Sequence, residues 1–143
     1  MRTSPDIIKQ LPPNGIFVFG SNLSGIHGKG AAKKAFDDFG AIYGNPIGLQ
    51  GKSYAIPTKN KNITKALNIK EISKYVDEFI EFAKENSDLD FYVTKIGCGL
   101  SGLTVKIVSP LFKRVIEESI YNVLLPKEFL QEIEKNLQKG LFN

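Results

Sequence analysis

Of cysteine, histidine and methionine the chain has one residue each in 143. A lone Cys98 excludes an internal disulfide, and Cys98 with His27 cannot supply the ligands of a structural zinc site. Neither a metal nor a cofactor is expected. Also missing is any apolar run near the roughly 20 residues that a membrane span needs. The opening MRTSPDIIKQ lacks the apolar core of a signal peptide. A cytoplasmic location away from membranes is the resulting expectation. Charge of one sign is in short supply as well: 19 Lys and Arg oppose 15 Asp and Glu, for a net charge of +4. The basic residues form only small clusters, Lys29/Lys33/Lys34 and Lys59/Lys61/Lys65. Dedicated nucleic-acid binders carry a denser basic stripe interleaved with aromatics, so nucleic acid is not an expected partner. A mild excess suits a small anionic ligand, and it equally suits plain solubility.

What is present reads as one domain over residues 1–143, long enough for a single packed core. IFVF (16–19) is a short continuous apolar run that follows a turn, the pattern of a buried strand. AAKKAFDDFG (31–40) places Ala32, Ala35, Phe36 and Phe39 on one helical face and stops at Gly40. GNPIGLQG (44–51) reads as a loop, SYAIPT (53–58) as a strand shut off by Pro57, and KNKNITKALN (59–68) as a polar surface loop. Ile72, Tyr75, Val76, Phe79 and Ile80 recur at helical spacing over 69–84. FYVTKI (91–96) reads as a strand, Thr104–Glu117 as a helix, YNVLLP (121–126) as a strand and KEFLQEIEKNLQ (127–138) as an amphipathic terminal helix. Strands alternating with helices predict an α/β sheet covered on both faces. Ligands of such sheets bind beyond the carboxyl ends of the strands. Two glycine-rich loops and Lys59 all fall at such ends.

The loop GCGLSG (97–102) matches G-x-G-x-x-G between a strand and a helix. A dinucleotide fold wants that loop after its first strand and an acid at the end of the next one. Here the loop comes late and the next strand ends in LLP, which argues against a Rossmann dehydrogenase. Gly20 to Gly25 has the glycine spacing of a phosphate loop, but Ile26 stands where its lysine belongs. The physical reading of SNLSGIHGKG (21–30) survives both failures: glycine amides and a helix start make an anion cradle for a phosphate or diphosphate. His27 reads as a base, a stacking ring or a loop-locking donor, with the last preferred because nothing beside it in sequence would tune it. Cys98, within an apolar-flanked glycine loop, reads as a small buried hydrophobe before a nucleophile. Lys59 is either an amine nucleophile, if desolvated, or a solvated surface lysine.

Three segments in order, GSNLSGIHGKGAA (20–32), a strand ending in Thr58-Lys59, and IGCGLSGL (96–103), resemble the macrodomain superfamily. Within it they look nearest the branch of the terminal ADP-ribose protein glycohydrolase and small stand-alone bacterial and phage proteins. The resemblance spans most of the chain, leaving out the terminal helix. It implies a three-layer α/β/α sandwich with a mixed central sheet, and ADP-ribose or another NAD-derived nucleotide as ligand. On that basis Gly20, Ser21, Asn22, Gly25, His27, Gly28 and Gly30 would hold the adenosine side and diphosphate. Gly97, Cys98, Gly99, Leu100, Ser101 and Gly102 would close over the diphosphate and distal ribose, and Thr58 would be a further ligand contact. Lys59 aligns with the lysine that attacks the ribose anomeric carbon in the glycohydrolase branch, and Ser101 stands where that branch carries its aspartate. A serine is not ionised at neutral pH and cannot replace a carboxylate in proton transfer. Two functions follow: a module that binds the nucleotide without turning it over, or a hydrolase of ADP-ribosyl linkages on modified macromolecules. The second would use Lys59 and an acid of its own, with Asp37 and Asp38 as candidates if their helix turns them inward. A helix cap for the segment starting near Thr104 is the plain alternative for Ser101.

Overall fold

The computed structural model describes residues 1–140. Six strands form a single sheet: β1 (Thr3–Ser4), β2 (Gly15–Asn22), β3 (Gly48–Gln50), β4 (Ser53–Lys59), β5 (Asp90–Val93) and β6 (Val123–Pro126). Their order is β1-β6-β5-β2-β4-β3, with β3 antiparallel to β4 and every other pair parallel. The sheet is therefore mixed, as expected. β2 lies at its centre, and both of its faces are covered. Ile16 and Val18 enter one core cluster while Phe17 and Phe19 enter the other. That is why IFVF is continuously apolar rather than alternating.

The two covering layers are unequal. The larger contains α2 (Ile69–Glu85), α3 (Val105–Val108), a 3₁₀ turn (Ser109–Phe112), α4 (Lys113–Glu117) and α5 (Lys127–Gln138). α2 sets its boundary locally: Asn68 Oδ1 accepts from Glu71 N at 2.9 Å, and Asn68 Nδ2 donates back to the Glu71 carboxylate at 2.9 Å. Its stripe Ile72, Val76, Phe79, Ile80 and Ala83 is wholly buried. Phe79 meets Tyr54 and Phe91 edge-on at 5.0 and 5.5 Å between ring centres. Each such side chain contributes about 1.5–3 kcal/mol through burial. The opposite layer has α1 (Gly30–Asp38) and the N-terminal segment, packing Ala32, Ala35, Phe39 and Ile8 on Phe17 and Phe19.

Several local expectations give way to tertiary context. The helix expected over 104–117 is broken at Pro110, which has no N–H to donate and would clash with the carbonyl four residues back. Pro57 does not end its strand: β4 runs on to Lys59. β3 pairs only with Ser53–Ala55, so at Pro57 that side of β4 is an edge, where a missing N–H costs nothing. Phe36 leaves the helical face assigned to it, stands exposed, and meets Tyr43 edge-on at 6.2 Å. The strand expected over 91–96 ends at Val93, and residues 94–96 turn off along the sheet's end. β1 and β3, of 2 and 3 residues, are too short to leave a pattern.

Candidate functional site

Beyond the carboxyl ends of β5, β2 and β4 lies a crevice of about 670 Å³. Its first wall is the chain from Gly20 to α1. At the end of β2, buried Asn22 spends its whole amide on the loop: Oδ1 accepts from Ile26 N at 3.0 Å and Nδ2 donates to Ile26 O at 2.8 Å. Ser21 donates its hydroxyl to Pro46 O at 2.6 Å. Gly25, at φ +69°, lies so close to the 44–45 backbone that a Cβ there would come within 2.5 Å of Asn45 N. His27 is buried, with Nε2 at 3.0 Å from Ile42 O and its ring edge-on to Phe19. These contacts pin the loop to the 42–46 segment from behind and turn its backbone toward the crevice.

α1 opens directly into that space. Lys29 occupies its N-cap without a side-chain cap, and Lys33 N is the first amide to turn back, to Lys29 O at 3.2 Å. The amides of Gly30, Ala31 and Ala32 therefore have no protein partner among the described residues, the usual state of a helix start and a ready site for an anion.

The facing wall is Gly97–Ser101. Gly97 takes φ +76°, which glycine adopts without strain. Leu103 N returns to Gly97 O at 2.8 Å and Gly102 N to Gly99 O at 3.0 Å, closing a tight turn. The amides of Gly99, Leu100 and Ser101 are left without a protein partner among the described residues. Ser101 Oγ lies 2.8 Å from Thr58 Oγ1, tying this loop to the end of β4. Thr104 caps α3 with its own hydroxyl, 3.3 Å from Ile107 N, so Ser101 is not that cap. Leu100 reaches across to the first wall, its Cδ1 3.2 Å from where a Cβ on Gly30 would stand.

The crevice is basic. Lys29, Lys59 and Lys95 line it, and no carboxylate of the described residues does. Lys95 is balanced by Glu128 at 2.6 Å and Asp6 at 4.0 Å. Lys59 has no such partner among the described residues. Asp37 and Asp38 pair with Lys33 and Lys34 at the far end of α1, at 2.5 and 2.7 Å, so neither serves the crevice as an acid. Cys98 is half-buried, its thiol 3.5 Å from Ile96 O, and burial pushes its pKa up, away from the thiolate a nucleophile needs. Among the described residues no group of three or more His, Cys, Asp and Glu could hold a metal ion.

Of the residues singled out from sequence, Gly20, Ser21, Asn22, Gly28, Gly30, Thr58 and Lys59 line the crevice, with Gly97, Cys98, Gly99, Leu100 and Ser101 opposite. Gly25, His27 and Gly102 do not. The first two act behind the wall, and Gly102 closes the turn. Sequence reasoning missed Ile26, Lys29, Ala31, Ala32, Ile63, Thr94, Lys95 and Ile96. The helix start could have pointed to Lys29, Ala31 and Ala32. Thr94–Ile96 were hidden inside an apparent strand, and nothing in a polar loop marked Ile63.

A scan of family models and a search of curated proteins give no match for this chain. Among solved structures, Thermosipho africanus DarTG in complex with ADP-ribose is similar, at 21% identity and a TM-score of 0.53. The match covers 78% of this chain and 38% of that one, so this chain spans well under half the length of its structural neighbour. The fold is macrodomain-like. The likeness speaks for the α/β/α architecture with its mixed six-stranded sheet, and it does not separate the glycohydrolase branch from others.

Proposed function

We propose that the crevice binds ADP-ribose, or a closely related NAD-derived nucleotide, and holds it without turning it over. One observation carries this reading: unpartnered amides from the α1 start and from Gly99–Ser101 face a single space that three lysines, and no carboxylate among the described residues, line. A diphosphate supplies the negative charge and the acceptor oxygens that such a surface lacks. The ADP-ribose held by the DarTG neighbour supports the choice among diphosphates. ADP-ribose attached to a macromolecule is the natural extended ligand.

The case against turnover rests on the same lining. Lys59 offers an amine, but Ser101 lies hydrogen-bonded to Thr58, and no acid among the described residues lines the crevice to move protons. General acid–base assistance is typically worth about 10²–10⁴-fold. The test is calorimetry and thermal unfolding with ADP-ribose, NAD and ADP, beside an assay of ADP-ribose release from modified protein. Stabilisation should follow mass action, about 2.7 kcal/mol at a hundredfold excess over Kd. Release should be absent or feeble, raised by Ser101→Asp and lost again when Lys59→Ala is added. An unfolding transition that none of the nucleotides moves sinks the proposal, and brisk wild-type release dependent on Lys59 replaces it with the hydrolase.

A further inference from the structure

Two non-glycine residues among those described take positive φ, Ile63 at 59° and Ser119 at 52°. Ser119 follows α4 and ends it, a common use of the left-handed conformation. Ile63 has no such reason. It sits in a tight turn between β4 and α2, where Ile63 N returns to Asn60 O at 3.0 Å and Lys59 bridges Ala66 in antiparallel fashion. A left-handed residue after such a turn is normally glycine, and a β-branched one there is an outlier. The chain supplies glycine at comparable bends such as Gly40, Gly51 and Gly97.

The strained turn is also firmly held. Asn60 Oδ1 accepts from Thr64 N at 2.9 Å and from Lys65 N at 3.3 Å, while Asn60 Nδ2 donates to Thr64 Oγ1 at 3.0 Å. The Ser24 hydroxyl donates to Lys61 O and docks the turn on the first wall of the crevice. What this scaffold supports is the half-buried Ile63 side chain, which joins neither core cluster and lines the crevice. Strain kept where the core gains nothing points to a ligand contact.

We infer that Ile63 is the apolar rest for a pentose ring beyond the diphosphate, a deepening that rests on the nucleotide-binding reading above. Lys59 stands four residues earlier at the end of β4, and the Thr58–Ser101 hydroxyl pair lines the same space. An apolar surface beside an amine and hydroxyls matches a sugar, which has a C–H face and a hydroxyl edge. A nucleobase would use the apolar surface and leave the amine without a role.

The experiment compares ADP-ribose with ADP, which lacks the terminal pentose, by calorimetry on the intact chain, Ile63→Gly and Ile63→Asn. Both substitutions suit a left-handed backbone. Ile63→Gly should raise the Tm of the ligand-free protein, weaken ADP-ribose about tenfold and leave ADP within about twofold. Ile63→Asn, which keeps a side chain and so limits loosening of the turn, should shift the two ligands in the same directions. Equal losses for ADP and ADP-ribose would put Ile63 against the base or diphosphate and overturn the inference. So would unchanged ADP-ribose affinity, or a Tm that falls in both variants. Failure of the unaltered chain to bind ADP-ribose removes the parent reading itself. Sound binding by the unaltered chain without the ligand-dependent difference overturns only the role of Ile63.

Discussion

The two walls of the crevice are built from similar residues by opposite means. Along Ser21–Gly28 polar side chains hold the loop from behind: Asn22 on Ile26, Ser21 on Pro46 and the Nε2 of His27 on Ile42. Along Gly97–Gly102 the loop is held by short-range backbone bonds, the Cys98 thiol on Ile96 O and a hydroxyl pair to Thr58. The first wall exists before any ligand arrives. The second has fewer side-chain constraints, so on the proposed reading it is the one to tighten around a diphosphate. Glycine content alone does not distinguish a fixed wall from an adaptable one, because what counts is whether neighbouring side chains hold the backbone.

That contrast can be broken most severely at Gly25. A side chain there must displace the Gly44–Asn45 backbone, with 2.5 Å available, at positive φ. Gly25→Val should cost more than about 3 kcal/mol and populate unfolded protein, seen in urea titrations. If Gly25→Val unfolds like the parent chain, the first wall is not fixed from behind.

Next in size are Gly28→Val and Gly99→Val, which should keep the fold and lose binding. A Cβ at Gly99 meets nothing within 4 Å, and at Gly28 only Ile26 Cγ2 at 3.9 Å. A branched side chain then fills crevice space and covers the open amides. ADP-ribose affinity should fall more than about tenfold with Tm nearly unchanged. Retained affinity in both would reduce the loops to ordinary turns.

A smaller, paired comparison separates the two walls energetically. Asn22→Leu strands the Ile26 amide and carbonyl and should cost about 1–3 kcal/mol. Ser101→Ala cuts the tie to Thr58 and should cost about 1 kcal/mol or less. Hydrogen exchange should then speed up across 97–102 alone. Equal costs would erase the difference between the walls.

The mildest effect concerns Cys98. Burial pushes its thiol above the ordinary value of 9.0, so the thiolate is scarcer at any given pH than in a free thiol. Alkylation near pH 8 should be slower than for a free thiol, rise steeply only at higher pH, and slow further with ADP-ribose as the second wall tightens. Faster labelling with ligand would show that the wall opens instead.

Much of this was legible along the chain. The stripe on α2 and the continuous IFVF run report burial because they repeat at helical spacing or leave no polar face. Both glycine loops fall at strand ends, a placement that by itself points to a crevice. Local patterns misled where a distant partner set the outcome. Pro57 reads as a terminator until the shortness of β3 leaves that side of β4 open. His27 reads as one more ligand contact in the glycine loop until the fold turns it away from the crevice and sets its Nε2 against Ile42 O.

By itself the sequence determined which segments become strands and helices and where the backbone can turn sharply, since those depend on residues within a turn or two of each other. The tertiary structure decided what those segments do together. The order β5-β2-β4 sets Lys95 and Lys59 on either side of Asn22, and it brings Ser101 to Thr58 across 43 residues of chain. It also aims Ile63 from a polar loop into the crevice. Such pairings are paid for in loop closure and repaid by sheet packing, and neither leaves a periodic trace in the sequence.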